Sequence, residues 1–180
     1  MPYIVKTLIS EMDLQERVRT LAEEIAPRLG PDPIVIGLFK GAFIFTADLV
    51  RELYRVGVNP AIDFMVLSSY GAGMDSAGTV AVKLDCREKL EGRHILLVDD
   101  ILDTGNTLLF TIDHLRAKGA AQVLSCVLLD KKERRKMPVK ADFVGFPIPN
   151  EFVVGYGIDY AEKHRELPYI GAVVQQQAAS

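Results

Sequence analysis

Cysteine is scarce in this 180-residue chain: Cys86 and Cys126 are the only two, and they form no Cys-x-x-Cys pair. A disulfide framework is therefore not expected, and nothing in their spacing suggests zinc or redox work. Both are read as small packing residues. The three histidines, His94, His114 and His164, show no metal-ligand spacing and are read as structural or surface groups. No apolar run reaches the length of a membrane span. Residues 1–6 lack a charged segment followed by a long apolar stretch, so no secretory leader is expected and the cytoplasm is the expected compartment. A basic excess is missing too. The net charge of -3 and pI near 5.6 argue against general nucleic-acid binding, so an anionic substrate would need local positive groups.

What is present suits one globular domain over residues 1–180, since 49% of the residues are hydrophobic and 25% charged. Leu14, Val18, Leu21 and Ile25 recur at helical spacing and predict a helix over 10–29, with Ser10 as N-cap and Pro31 and Pro33 beyond its end. A short buried-strand pattern follows at 34–38, then a largely apolar helix over 42–55. Strand patterns recur at 61–67, 79–84 and 122–128, with a glycine-rich stretch running to Gly78. This alternation predicts an α/β fold with a mainly parallel central sheet flanked by helices. Beyond Leu129 come a charged connector, short strands around Phe143 and Phe152, and a loop over 155–166, together read as a small cap. Residues 175–180 are expected to fray. No internal repeat or low-complexity linker interrupts this order.

Residues 95–107 carry the chemistry: Ile-Leu-Leu-Val-Asp-Asp-Ile-Leu-Asp-Thr-Gly-Asn-Thr. An apolar strand ends in Asp99 and Asp100, then Asp103, then a small turn that enters a helix over 107–118. Ligands of open α/β sheets collect at such strand ends, and backbone N–H groups at a helix start bind phosphate. Magnesium prefers oxygen ligands and shares them with water and substrate phosphate. The segment thus predicts a site for a phosphorylated sugar with an indirectly held metal. It contains neither a Gly-x-x-x-x-Gly-Lys-Ser/Thr phosphate loop nor a Gly-x-Gly-x-x-Gly dinucleotide turn.

Residues 98–107, Val-Asp-Asp-Ile-Leu-Asp-Thr-Gly-Asn-Thr, resemble the phosphoribosyl-pyrophosphate motif of type I phosphoribosyltransferases. Leu38-Phe39-Lys40-Gly41, Ser68-Ser69-Tyr70-Gly71, Leu129-Asp130-Lys131-Lys132 and the run 148–160 extend the resemblance over nearly the whole chain, toward the bacterial hypoxanthine (hypoxanthine-guanine) branch. The resemblance implies that family's fold with a purine-binding hood formed mainly by about 130–170 with N-terminal contributions. It implies transfer of a phosphoribosyl group to a 6-oxopurine, with Mg²⁺ as cofactor and a homodimer or homotetramer as the assembly.

The same resemblance assigns roles. Asp103 is the general base, and Asp99 and Asp100 hold ribose hydroxyls and metal-bound water. Thr104, Gly105, Asn106 and Thr107 cradle the 5′-phosphate. Lys40, Gly41 and Arg165 contact pyrophosphate, with the peptide at Lys40 and Gly41 able to be cis. Ser69 and Tyr70 mark a closing loop over 68–78. Lys131 donates to the purine oxygen, Phe152 stacks on the base, Val153 reads it through its backbone, and Asp159 holds a second Mg²⁺. Two alternatives stay open: an RNA-binding regulatory homologue, for which the basic run 131–136 is the relevant feature, and an enzyme for another base such as xanthine. Lys131 and Asp103 count against adenine, and the hood against orotate.

Overall fold

Strand β2, Ile34–Phe39, is buried at five of its six positions, as a parallel strand covered on both faces should be. It sits at the centre of a six-stranded sheet. The structure, a computed structural model, describes residues 3–70 and 79–175. The other strands of this sheet are β3 (Ala61–Tyr70), β4 (Thr79–Leu84), β5 (His94–Leu102), β6 (Gln122–Asp130) and β7 (Phe143–Pro147), in the order β4-β3-β2-β5-β6-β7. All pairs are parallel except β3 with β4, which form an antiparallel edge.

The period of two along β5 divides the core between two layers. Leu96 and Val98 pack with Leu14, Val18, Leu21 and Ile25 of α1 (Glu11–Ile25) and with Phe45, Leu49 and Leu53 of α2 (Phe43–Arg55). Ile95 and Leu97 face the other way, onto Leu108, Ile112 and Leu115 of α3 (Asn106–Ala117). Each such side chain fully buried contributes roughly 1.5–3 kcal/mol relative to exposure. Ser10 caps α1 as expected, its Oγ accepting from the Asp13 N–H at 3.2 Å. The helix stops at Ile25, where a 3₁₀ turn over Ala26–Arg28 begins with Pro27 inside it, so it is shorter than 10–29. Helix α3 begins at Asn106 rather than Thr107, because Gly105 adopts a left-handed φ of 93° that makes it the cap.

The cap is a second sheet, β1-β9-β8, built from β1 (Tyr3–Ile9), β9 (Ile170–Gln175) and β8 (Val153–Val154). Two expectations change here. The strand around Phe143 belongs to the main sheet, paired with β6 from Cys126 to Asp130, and Phe143 fills the core rather than the cap. Its place in the cap is taken by β1 and β9, antiparallel from Tyr3 with Gln175 to Ile9 with Ile170. Gln175, expected to fray, ends β9 opposite Tyr3, and 68–70, read as the start of the closing loop, continue β3; the rest of both expectations, 176–180 and 71–78, lies outside the described residues.

Candidate active site

In β5 the unbroken apolar run Ile95 to Val98 is followed by Asp99 and Asp100, near the carboxyl end of the strand and ahead of buried Leu102. Asp99 is buried and Asp100 half-buried. Asp99 Oδ1 accepts the Asp100 N–H at 2.9 Å, and Asp100 Oδ1 accepts the Ile101 N–H at 2.7 Å. Burial raises both carboxyls above the ordinary range, Asp99 further because the Asp100 charge adds to it. At Asp100 the hydrogen bonds from Asp99 and Ile101, then the Arg165 charge, work in the opposite direction. Neither acid has an ion-pair partner among the described residues.

Gly41 explains itself at this point. A Cβ there would lie 1.6 Å from Asp100 Oδ2, so only glycine lets the turn after β2 meet the carboxylate. The cis peptide is Phe39–Lys40, one bond earlier than expected. What Gly41 supplies is close approach, through its missing side chain.

The strand-to-helix turn over 103–107 is backed by the basic segment after β6. The Lys136 and Met137 N–H groups both donate to the Thr104 carbonyl, at 2.9 and 3.0 Å, and a Cβ on Gly105 would come within 2.7 Å of Val139 Cγ1. Arg135 fastens the same segment, donating to the carbonyls of Asp103, Leu102 and Val139 and pairing with Asp130. At the start of α3, Thr104, Asn106 and Thr107 are half-buried and Gly105 is buried. Thr104 Oγ1 lies 3.5 Å from the Asn106 N–H, at the limit of a hydrogen bond.

Asp103, Lys131, Phe152, Val153 and Asp159 line one cavity of about 500 Å³, together with Arg134. Lys131 is buried at the end of β6, its N–H donating to the Leu102 carbonyl at 3.0 Å. Burial lowers its ammonium pKa; the Asp103 charge opposes that shift and the Arg134 charge adds to it. Phe152 is half exposed and meets the Tyr160 ring edge-on at 5.3 Å between centroids, which leaves a face for a second flat ring. Val153 is buried in β8, opposite Ala172 of β9. A larger hollow of about 910 Å³ lies under 137–141, but its acid, Asp130, is already tied to Arg135, so it is not where the carboxylates converge.

The hood closes on the Lys40 turn. Arg165 Nη2 lies 2.7 Å from Asp159 Oδ1, and Arg165 Nη1 donates to the Gly157 carbonyl at 2.7 Å. A Cβ on Gly157 would be 2.2 Å from the Gly41 carbonyl oxygen, so the two glycines bring hood and turn together. Lys40 Nζ lies 2.9 Å from Glu162 Oε2, and this hydrogen bond, reinforced by the lysine charge, holds the Glu162 carboxyl below its ordinary range.

The family model described as the phosphoribosyl transferase domain matches residues 7–161. The chain belongs to this family. It is 43% identical to the hypoxanthine phosphoribosyltransferase of Escherichia coli K12 over 177 residues, which cover 97% of this chain and 98% of the relative. The hypoxanthine-guanine phosphoribosyltransferase of Aquifex aeolicus is 49% identical over 168 residues, covering 92% of this chain and 93% of the relative. A crystal structure of a hypoxanthine-guanine phosphoribosyltransferase from Bacillus anthracis superposes with a TM-score of 0.88 at 44% identity, covering 95% of this chain and 100% of that one. The α/β sheet and hood are thus a type I phosphoribosyltransferase fold.

Within that phosphoribosyltransferase frame, the site brings Asp103, Lys131, Phe152, Val153 and Asp159 to one cavity, and Gly41, Asp100 and Arg165 to its neighbourhood. Ser69 and Tyr70 end β3 in its backbone, opposite Val80 and Thr79 of β4; their side chains lie outside what is described. Reading the sequence missed Arg134, Arg135 and Glu162. The run of basic residues after Lys131 was the available signal, but nothing local says which of them turns inward. The histidines are structural as expected: His94 meets Gln122, His114 meets Asp85 and His164 meets Tyr3.

The carboxylates suit a hard cation held through water. Asp99 is buried and Asp100 half-buried, neither in a direct ion pair among the described residues, and Asp159, paired with Arg165, stands at the hood side. No cluster of three or more candidate ligands occurs among the described residues. Such a donor set fits an ion that completes its shell with water and substrate oxygens, the habit of Mg²⁺, rather than one in an all-protein cage.

Proposed function

We propose that this phosphoribosyltransferase works in purine salvage, moving the 5-phosphoribosyl group of phosphoribosyl pyrophosphate onto hypoxanthine or guanine to give IMP or GMP and pyrophosphate. One observation carries the reading: Asp103, at the head of the strand-to-helix turn, shares a cavity with Lys131 and Phe152. That cavity has a proton acceptor, a donor for an exocyclic oxygen and a stacking face, so it is equipped for an oxopurine. The names of the relatives point the same way.

In this reading Phe152 stacks on the base, the Lys131 ammonium donates to its oxygen, and the Val153 backbone meets its far edge. Asp103 accepts the ring-nitrogen proton as the base attacks the anomeric carbon with inversion, and returns it in the reverse direction. The sugar carbon passes through an oxocarbenium-like state, as in glycoside cleavage. Asp99 and Asp100 hold the ribose hydroxyls and metal-bound water, and Thr104, Gly105, Asn106 and Thr107 cradle the 5′-phosphate. Lys40, the Gly41 backbone and Arg165 receive pyrophosphate, and Arg165 suits this because its planar fork matches phosphate oxygens. Ser69 and Tyr70 close the loop over the site and keep water from the sugar cation. Asp159, Asp99 and Asp100 are the residues for Mg²⁺, which when bound would neutralise charge on the leaving pyrophosphate.

The basic run 131–136 does not favour the RNA-binding alternative. Lys131 is buried, Arg135 pairs with buried Asp130, and the more exposed Arg134 is already paired with Asp103, so three of its charges are engaged within the protein. No helix among the described residues is long and apolar enough to cross a membrane. The proposal is completed by a single domain over 1–180, a cytoplasmic location and a homodimer or homotetramer. Its test is pyrophosphate release with hypoxanthine, guanine, xanthine and adenine in turn, with phosphoribosyl pyrophosphate and Mg²⁺. Turnover with the oxopurines and none with adenine is expected; no turnover with any oxopurine would sink the reading.

A further inference from the structure

The hood ends in a tight hairpin whose tip points at the Lys40 turn. Tyr160 and Lys163 exchange backbone hydrogen bonds, at 3.0 and 3.1 Å, around Ala161 and Glu162. Both central residues have positive φ, 51° and 62°, the pattern of a type I′ turn, although neither is the glycine, asparagine or aspartate that such positions favour. The Glu162 N–H also donates to Asp159 Oδ2 at 2.8 Å. Held this way, Glu162 places one carboxylate oxygen 2.9 Å from Lys40 Nζ and 3.5 Å from Arg165 Nη2.

These are the two cations assigned above to pyrophosphate. We propose that Glu162 is a built-in competitor for the pyrophosphate subsite, an anion that bridges Lys40 and Arg165 in the ligand-free protein and is displaced when substrate or pyrophosphate arrives. The inference rests on that assignment of Lys40 and Arg165. Lys40 and Glu162 are both largely exposed, with side-chain accessibilities of 64% and 68%. An exposed pair is weak and screened by salt, so the competitor can be displaced by a ligand that brings several charges. Arg165 is better buried and has a second carboxylate partner, Asp159, at 2.7 Å. Glu162 thus trades some substrate affinity for faster departure of pyrophosphate.

The test is titration of the full-length protein with inorganic pyrophosphate and Mg²⁺ by calorimetry, for the wild type and Glu162→Gln. Glutamine keeps the shape and removes the charge, and the position is exposed enough that folding is unaffected. The variant should bind pyrophosphate about two- to fivefold more tightly, the factor that an exposed ion pair carries. The KM for phosphoribosyl pyrophosphate should fall by a similar factor. The difference should shrink at high ionic strength, and also in a Lys40→Met background, because the two charges are coupled. Unchanged or weaker pyrophosphate binding by Glu162→Gln, in a protein active with oxopurines, overturns the competitor role. If the wild type is inactive with every oxopurine, the assignment beneath it fails instead.

Discussion

Arg134 Nε lies 2.7 Å from Asp103 Oδ1, which ties the proposed general base to the basic segment that follows Lys131. One carboxylate oxygen is thereby occupied, and the other is left for the purine. The pair is partly exposed, with side-chain accessibilities of 47% and 38%, so its own strength is modest and its value lies in orientation. A positioned base is worth about 10²–10⁴-fold, so Asp103→Asn should lower kcat by about that range while phosphoribosyl pyrophosphate still binds. Arg134→Gln should cost about fivefold in kcat, with Arg134→Lys intermediate, because the base remains but loses its tether. Steady-state kinetics separate the two, and an unchanged kcat in Asp103→Asn would refute the base assignment.

Gly41→Ala tests the close approach beneath Asp100. Its new methyl would overlap Asp100 Oδ2, and turning that carboxylate aside would break the hydrogen bond its other oxygen, Oδ1, accepts from the Ile101 N–H. Forced overpacking of this kind costs about 1–3 kcal/mol. A loss of that size in denaturant-monitored unfolding is expected, along with weaker pyrophosphate binding. Wild-type stability with wild-type binding would show that the turn has room to spare.

Much of this was legible along the chain. The apolar run of β5 and its acids read as a strand end with a ligand site, because both the period and the turn chemistry are local. The cap was read only in part. Its sheet pairs Tyr3 with Gln175, residues from opposite ends of the chain, and no local pattern shows that β9 and β1 find each other. Phe143 was misplaced for a related reason: its short apolar run fits either sheet, and Ser125, whose N–H and Oγ both donate to Asp142, fixes it beside β6. The ion pairs of Asp103 with Arg134 and Lys40 with Glu162 join residues 31 and 122 positions apart, so the charges were visible but their partners were not.

Asp99 should trade stability for function. Burial raises its pKa, and the neighbouring Asp100 charge adds to the cost of ionising it in the ligand-free protein. Asp99→Asn removes that cost and still offers an oxygen to the Asp100 N–H. The ligand-free variant should therefore unfold a few degrees higher, about 2–4 °C for each kcal/mol relieved in a chain of this size. Its affinity for phosphoribosyl pyrophosphate should fall, because the carboxylate is assigned to ribose and hydrated metal. A lower melting temperature in calorimetric scans would contradict the account.

Asp85 offers a pH test away from the site. Burial pushes its pKa up, but hydrogen bonds from Lys118 at 2.6 Å and His114 at 3.0 Å, with the Cys86 thiol, outweigh burial and leave it lowered. A carboxyl depressed on folding gives stability that is present above its unfolded value, about 3.9, and lost as pH falls through the folded one. Asp85→Asn should cost about 1 kcal/mol at pH 7, an amount discounted for partial exposure, and nothing once the wild-type carboxyl is protonated. Urea unfolding of both proteins across that acid range should show their midpoints converging as pH falls; parallel curves would mean that the charge is irrelevant.

Lys131 is the residue proposed to govern the choice of base. Its ammonium is buried at the end of β6, in the same cavity as Asp103 and Phe152, where a purine oxygen can replace lost water and an amino group cannot. A hydrogen bond to a charged group is worth about 1.5–3 kcal/mol, or roughly 10- to 150-fold in kcat/KM. Lys131→Met keeps the length and apolar stem of the side chain but removes the donor. Its kcat/KM for hypoxanthine should drop by that factor, while the KM for phosphoribosyl pyrophosphate stays within about twofold, since the 5′-phosphate turn is held by Lys136 and Met137 N–H groups that the substitution does not touch. Discrimination against adenine should shrink by the same factor, because the wild-type preference comes from the lost donor. Competition between hypoxanthine and adenine in one assay reads that ratio directly, and a variant that retained wild-type selectivity would place base recognition elsewhere in the hood.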